Sequence, residues 1–459
     1  MRSFGPPPRK EKTEETLKIT GFDAQGFGVA GTGADRPALP YCTPGDLVRA
    51  AVSVSGRYSV SEILHAGPGR TAPKCPLFFK PGAKRWCGGC DFQHLGYDAQ
   101  LKAKSAVAAA CLGNAGLRVG LESPLPSPLH WRYRNKMQLP FAKFGGQVRA
   151  GFFHPGTHEL VDCPDCAVQS ESAVKIALEV KAMAAHSGWS VYNEDEHTGW
   201  LRHILIRTNS RGEAMISFVG NGEPRFNLTA AAQKLAYRLP QIKSVYLNIQ
   251  MEQTSVVLGR HWEKLLGETQ LEEKICGRRF LFYPGSFLQV NTAAAQELYK
   301  TAAQFLAQGA RAAELYDLYC GIGVIGLSVG AGFKRLTGIE ENAGAAACAW
   351  KNARLNNIPN ARFIAAKAED FFSKGAAFSN SAAVIMDPPR TGCSPKLLTA
   401  LNNTLVKKIV YISCNPETFA RDAKLLTRSS FELKRVKPAD LFPQTAQVEL
   451  VAFFERRNR

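Results

Sequence analysis

The sequence contains no apolar run long enough to span a lipid bilayer. Its opening stretch, MRSFGPPPRKEKTEE, is charged and rich in proline and has no apolar core. We therefore expect neither a signal peptide nor a membrane anchor in it. No internal repeat is present. These absences predict a cytoplasmic protein with no membrane partner.

Acidic residues are also few relative to basic ones. The chain of 459 residues has 39 Asp and Glu against 57 Lys and Arg, which gives a formal net charge of +18. A positive field attracts polyanions, so this balance favours a nucleic-acid partner. The basic residues are spread along the whole chain, so charge alone leaves a generally basic protein as the alternative. The length exceeds what one hydrophobic core normally supports and predicts two or three domains.

Cysteine, in contrast, is plentiful, with twelve in the chain. Disulfides are rare in the cytosol, so these cysteines are better explained as metal ligands, a nucleophile and core residues. One group stands in KCPLFFKPGAKRWCGGCDFQH and another in LVDCPDCAVQ. The residues alone leave zinc, an iron-sulfur cluster and unliganded thiols open, although the two Cys-x-x-Cys pairs are further apart than in a common zinc ribbon.

The pattern of predicted elements changes along the chain. Residues 12–70 hold short β-type segments interrupted by glycines, as in a small barrel. Residues 71–272 mix predicted strands with polar helices and indicate an α+β domain, in which a helix near 96–113 is expected to pack on the catalytic domain. In residues 273–459 helices alternate with apolar strands, which predicts a doubly wound, Rossmann-like α/β domain.

A glycine loop follows the first strand of this last domain. In DLYCGIGVIG the glycines Gly321, Gly323 and Gly326 form Gly-x-Gly-x-x-Gly, and Glu340 ends the next predicted strand. Glycines at these positions let a nucleotide cofactor approach the backbone, and the acid is well placed for ribose hydroxyls. The loop alone fits a dinucleotide-dependent dehydrogenase as well as a methyltransferase.

Three further features favour a methyltransferase. Asp317 lies four residues before Gly321, and a later strand ends in MDPPR, whose prolines make a stiff loop with Asp387 at its head. Cys414 ends the strand KIVYISC, where open α/β sheets hold ligands. Position alone favours Cys414 as a small buried hydrophobe, which is how most free cysteines behave. The proline loop, in turn, suits a planar base held against a methyl donor.

The segments DLYCGIG, MDPPR, YISCNP and FPQTAQVELVAFFER closely resemble the RNA uracil-5-methyltransferase family, which uses S-adenosylmethionine. The resemblance covers nearly the whole chain after residue 15. It implies that the N-terminal barrel is an RNA-binding TRAM domain of OB-like type. It also implies that Cys414 is the nucleophile that adds to carbon 6 of uracil, and that Glu449 is the general base that removes the carbon 5 proton.

The resemblance further implies a set of cofactor-binding residues. They are Gln289, Tyr319, Gly321, Gly323, Val324, Glu340 and Asp387. At two positions the chain departs from the family pattern. Val324 stands where a polar residue is common, and Lys367 replaces an acid or amide near the adenine.

For the cysteine groups, the resemblance implies a 4Fe-4S cluster. Its ligands would be Cys75, Cys87, Cys90 and Cys166, with Cys163 as an extra thiol. We expect the cluster to have a structural role beside RNA. The remaining cysteines are interpreted as core or incidental residues; they are Cys42, Cys111, Cys276, Cys320, Cys348 and Cys393.

We therefore predict a three-part enzyme that forms 5-methyluridine in 23S ribosomal RNA, with transfer RNA as the close alternative. A dehydrogenase and a non-catalytic RNA-binding protein are more remote alternatives, because neither needs the cysteine and DPPR features. The basic, aromatic segment WRYRNK at 131–136 is either an RNA contact or the outer face of a strand. We expect a monomer.

Overall fold

The computed structural model describes residues 13–31, 33, 36–53, 56–163, 165–309, 312–373 and 382–457. Residues 1–12, which make up most of the opening stretch considered for a signal peptide, lie outside the described residues. Across the described ranges, no helix is both long enough and apolar enough to cross a membrane.

The N-terminal part is a five-stranded antiparallel sheet with the order β3-β2-β1-β4-β5. Its strands are β1 (Thr13–Phe22), β2 (Gly28–Ala30), β3 (Ala38–Leu39), β4 (Leu47–Val52) and β5 (Tyr58–His65). A small core of apolar side chains, including Ile19, Leu39 and Val48, lies on the sheet. β3 also contacts β5, as in a partly closed barrel. The assignment of this sheet as a TRAM domain stays a prediction.

The first long helix is α1 (Tyr97–Asn114). Its buried residues Val107, Ala108 and Leu112 belong to the same apolar core as the C-terminal sheet. Although α1 comes early in the chain, it packs on α9 and β20 of the C-terminal domain, whose bounds are given below. The helix therefore joins the two ends of the sequence.

The central domain is α+β. Its elements are β6 (Lys136–Phe144), β7 (Gln147–Phe153), β8 (Leu160–Asp162), α2 (Glu171–His186), β9 (Leu201–Thr208), β10 (Ala214–Gly220), α3 (Leu228–Arg238), β11 (Ile242–Ile249) and β12 (His261–Gly267). The seven strands form one sheet with the order β12-β11-β10-β9-β6-β7-β8, in which only β10 and β11 pair in parallel among the described strands. Apolar residues of α2 and α3 cover the sheet.

A hairpin of β13 (Leu271–Ile275) and β14 (Arg278–Phe282) spans the predicted boundary at 272/273 and packs into the C-terminal core. The elements that follow are α4 (Thr292–Ala307), β15 (Glu314–Leu318), α5 (Val324–Val329), β16 (Arg335–Glu340), α6 (Ala343–Leu355), β17 (Ala361–Ala365), α7 (Ala368–Ser373), β18 (Ala382–Met386), α8 (Pro395–Asn402), β19 (Lys408–Ser413), α9 (Pro416–Thr427), β20 (Phe431–Ala439) and β21 (Glu449–Arg456).

The C-terminal sheet has the order β17-β16-β15-β18-β19-β21-β20. The first five strands in this order pair in parallel, and β21 pairs antiparallel with both β19 and β20. Helices cover both faces and form two apolar cores. The predicted doubly wound α/β fold is confirmed. Because β21 runs against the parallel strands, its first residue lies at their carboxyl ends.

Candidate active site

A cavity of about 890 Å³ opens at the carboxyl ends of the parallel strands. Four strands each contribute the residue at their end or just after it, namely Tyr319, Glu340, Asp387 and Cys414. This is where doubly wound sheets hold ligands, because the strand order reverses between β15 and β18. Gln289, Gly321, Lys367 and Glu449 also line the cavity. The fold therefore brings together both predicted catalytic residues and five of the predicted cofactor residues.

The other two predicted cofactor residues support the glycine loop without lining the cavity. Gly323 and Val324 are not among the residues that line the cavity. Gly323 has a φ of +84° at the start of α5, a conformation that favours glycine. Val324 is the first residue of that helix and is buried in the core.

Backbone hydrogen bonds fix the glycine loop against two strands. Asp317 in β15 accepts a bond of 2.8 Å from the Gly326 N–H, and a Cβ on Gly326 would lie only 2.7 Å from that carboxylate. Glu340 at the end of β16 accepts bonds from the N–H groups of Gly321 and Asn342, at 2.9 and 2.8 Å. A carboxylate has about four acceptor sites, so Glu340 keeps capacity for ribose hydroxyls.

Gln289 and Asp387 meet across the cavity. The Gln289 Nε2 donates to the Asp387 Oδ2 over 3.3 Å. Burial raises the pKa of Asp387 to about 7, while the bond from Gln289 acts in the opposite direction. Asp387 lies just after β18, and Pro388 and Pro389 of the same loop line the cavity beside it.

Cys414 and Glu449 approach from neighbouring strands. Ser413 pairs with Leu450 in the antiparallel register of β19 and β21. Cys414 follows Ser413 and Glu449 precedes Leu450, so the thiol and the carboxyl group occupy adjacent strand ends. Glu449 is 1% exposed, and its Oε2 has no hydrogen-bond partner among the described residues. A buried carboxylate oxygen without a partner is costly, and a ligand in the cavity is positioned to provide one.

The electrostatics of this pair favour the protonated forms. Burial raises the pKa of Glu449 well above its usual range, and the charge of Asp387 raises it further. Burial also raises the pKa of the Cys414 thiol to about 11, with smaller contributions from Glu449 and Asp387. Arg390 opposes both shifts. The cation of the DPPR loop therefore supports the charged form of both candidate catalytic groups.

Sequence reasoning did not single out several residues that line the cavity. Phe287 is 66% exposed and stands two positions before Gln289, in a segment between β14 and α4 that has no strand or helix pattern. Phe442 comes from the connection between β20 and β21. Arg134 of the WRYRNK segment also lines the cavity, so this segment contributes to the site rather than only to an outer strand face.

The cysteine groups meet in a second cavity of about 210 Å³. Its lining includes all five thiols, Cys75, Cys87, Cys90, Cys163 and Cys166. Within the described part of the chain, no three Cys, His, Asp or Glu side chains are close enough to hold a single metal ion. Arg134 lines this cavity as well as the larger one. The fold therefore brings together two groups of cysteines that are distant in the sequence.

A doubly wound sheet with this strand order and a cofactor cavity beside the glycine loop defines the class of S-adenosylmethionine-dependent methyltransferases. A family model described as tRNA (uracil-5-)-methyltransferase matches residues 227–457. An uncharacterized RNA methyltransferase of Halalkalibacterium halodurans is 32% identical over 99% of each chain. Another, of Clostridium tetani, is 33% identical over 97% of this chain and 96% of its own.

A solved structure agrees with these relatives. The tRNA (uracil-54, C5)-methyltransferase of Pyrococcus abyssi, in complex with S-adenosyl-L-homocysteine, has a TM-score of 0.73 at 26% identity and covers 96% of this chain and 100% of its own. The chain belongs to the tRNA (uracil-5-)-methyltransferase family. It is an S-adenosylmethionine-dependent RNA (uracil-5-)-methyltransferase. The dehydrogenase and the non-catalytic RNA-binding module are thereby excluded.

Proposed function

We propose that this enzyme methylates carbon 5 of a specific uridine in 23S ribosomal RNA through a covalent adduct on Cys414. The observation that carries the proposal is the juxtaposition of Cys414 and Glu449 at adjacent strand ends, in the cavity that also holds the candidate cofactor residues. One residue can attack the base from this position while the other removes a proton. S-adenosylmethionine supplies the methyl group.

The first chemical step belongs to Cys414. Carbon 5 of uracil is a weak nucleophile, so the Cys414 thiolate adds to carbon 6 and the electrons of the 5,6 double bond move to form an enolate. The enolate forms a bond from carbon 5 to the methyl carbon, and the sulfonium sulfur keeps the electrons of the broken bond. Arg390 favours the thiolate that this step requires.

Glu449 completes the reaction. Its carboxylate accepts the proton of carbon 5, the 5,6 double bond re-forms, and the bond from carbon 6 to the Cys414 sulfur breaks to release the thiolate. The buried Oε2 of Glu449, which has no hydrogen-bond partner among the described residues, supports this role, because it can receive a proton from the substrate.

The candidate cofactor residues would hold S-adenosylmethionine on the glycine-loop side of the cavity. Glu340 has acceptor capacity for the ribose hydroxyls, and Gln289, Tyr319 and Asp387 line the rest of the wall. Lys367, which stands where the family has an acid or amide near the adenine, also lines the cavity. The net charge of +18 and the exposed ring of Phe287 suit an RNA substrate whose uridine must leave its stack.

We further propose that Cys75, Cys87, Cys90 and Cys166 hold a 4Fe-4S cluster, with Cys163 as an extra thiol. A zinc ion binds thiolates at about 2.3 Å and would draw four of them closely together. The thiols here line one cavity, and thiolates are also the ligands of 4Fe-4S clusters, which supports the cluster that the family resemblance implies.

Transfer RNA is the second candidate substrate, because the P. abyssi enzyme named for tRNA is matched over 100% of its chain. The match over the whole of that chain therefore leaves both RNAs as candidates. Mapping 5-methyluridine in 23S and transfer RNA from cells with and without the gene tests both candidates. We expect one 23S site to lose its methyl group. Loss confined to transfer RNA would replace the rRNA proposal, and no loss in either would refute both.

A further inference from the structure

A buried ion pair joins α1 to the part of the chain that leads into Glu449. The Lys104 Nζ lies 2.5 Å from the Asp440 Oδ1, and the two side chains are 1% and 0% exposed. The same ammonium donates to the Phe442 carbonyl over 2.9 Å. Burying two charges is costly unless they are paired and hydrogen-bonded, so we expect the Lys104 ammonium and the Asp440 carboxylate to keep this contact.

The ion pair lies beside the catalytic strand ends. Ala439 pairs with Glu449 in the register of β20 and β21, and Asp440 is the next residue after Ala439. Residues 440–448, which we name the catalytic connection, run from this point back to Glu449. Phe442 and Gln447 of the connection line the active cavity.

Other contacts hold the connection along its length. The Gln444 backbone N–H donates to Gln100 of α1, and the Gln444 carbonyl accepts from the N–H groups of Asp91 and Phe92. Gln444 has a φ of +74°, an unfavourable conformation for a residue with a side chain. Because the backbone resists this conformation, external contacts are needed to keep it in place.

We propose that Lys104 is a positioning residue for proton removal, which holds the catalytic connection through Asp440 and Phe442. This inference rests on the proposed function, in which Glu449 accepts the carbon 5 proton. No contact of Lys104 with the RNA or the cofactor is required. The residue acts through the placement and the charge of its neighbours.

The charges around Glu449 are consistent with this role. Asp387 opposes the ionisation of Glu449, whereas Arg390 and Lys104 favour it. Cys414 faces Glu449 from β19 and is affected by its charge. Around Lys104 itself, the acidic groups are Asp440, Asp91 and Glu449. Removing the Lys104 cation therefore raises the pKa of Glu449 further and moves proton removal to higher pH.

The test compares Lys104→Met with the double variant Lys104→Met/Asp440→Asn, which leaves no unpaired charge in the core. Lys102→Met is the matched control, because Lys102 lies on the same helix and is exposed. We expect both variants to bind S-adenosyl-L-homocysteine with unchanged Kd and to accumulate methylated RNA linked to Cys414. Lys104→Met, which loses the cation alone, should also have its pH profile for product release displaced upward. A displacement of one pH unit corresponds to about tenfold in rate below the pKa.

A purely structural role gives a different result. In that case Lys104→Met loses thermal stability, and the double variant recovers the wild-type kcat and pH profile. That outcome, or kinetics like those of Lys102→Met in both variants, would overturn the inference. Failure of the proposed function is distinguishable, because Glu449→Gln would then accumulate no adduct in an otherwise wild-type enzyme.

Discussion

Cys414 and Glu449 lie at the ends of adjacent strands, where each is the neighbour in sequence of one member of the pair Ser413 and Leu450 in β19 and β21. This arrangement depends on β21, an antiparallel strand that pairs with the last strand of the parallel part of the sheet. A parallel strand at the position of β21 would have delivered its last residue to the site. The reversal delivers its first residue, so Glu449 and Cys414 from adjacent strands line the same cavity.

This relationship predicts that the two residues fail at different steps. Cys414→Ala should bind cofactor but form neither adduct nor product, because no enolate is made. Glu449→Gln should attack and methylate and then stall as protein joined to methylated RNA. Denaturing gels with methyl-labelled cofactor will show the stalled species as a labelled band. Normal turnover by Cys414→Ala would refute the mechanism, and an absent band in Glu449→Gln would assign the base elsewhere.

The pH dependence should follow from the raised pKa values. Burial raises the pKa of Cys414 to about 11, so the reactive thiolate is scarce at neutral pH and increases about tenfold per pH unit below that value. Glu449, whose pKa burial also raises, accepts a proton only when ionised. Both effects have the same sign, so the rate of the complete reaction should increase with pH. Rapid-quench measurements of adduct formation and product release can follow the two steps separately, and a rate that falls with rising pH would contradict both assignments.

Cofactor affinity should depend on Glu340. A hydrogen bond to a charged group contributes about 1.5–3 kcal/mol, so Glu340→Gln should weaken the binding of S-adenosyl-L-homocysteine about 10–100-fold. Glu263→Gln is the control, because Glu263 is exposed on β12 of the central domain. Titration calorimetry measures both. Equal Kd values for the two variants would show that Glu340 serves only the glycine loop.

The second cavity predicts a visible cofactor. Protein purified aerobically should be brown and contain iron and sulfide in cluster proportions. Cys166→Ser should lose the colour, whereas Cys163→Ser and the buried control Cys348→Ser should keep it. Stoichiometric zinc in a colourless protein would refute the cluster, and the reverse behaviour of Cys163 and Cys166 would exchange their roles.

The sequence predicts the strand ends of the C-terminal domain well. Apolar strands alternate with helices there, and parallel strands all present their carboxyl ends at one edge, so Glu340, Asp387 and Cys414 were expected to meet. The sequence did not predict that Gly323 and Val324 lie outside the lining of the cavity. A glycine motif specifies the shape of a loop, but it does not separate the residue facing the cavity from those that support it.

Contacts between distant parts of the chain could not be predicted. Lys104 is one of two lysines in an alanine-rich helix, and 336 positions separate it from Asp440. The pattern of α1 shows that a helix forms without showing which surface it covers. Likewise, the strand pattern of WRYRNK does not show that Arg134 lies between two cavities, since that depends on how the central domain meets the C-terminal one.

The packing of α1 has a consequence for how the protein can be divided. A fragment that begins at residue 273 would lack Val107 and Leu112 of its own core and would retain Asp440 without its cation. Such a fragment would carry an apolar groove and a buried charge, and excision of the catalytic domain should give an unstable product. During synthesis, α1 leaves the ribosome long before the sheet that it covers. Completion of the fold must therefore wait for the last strands of the chain.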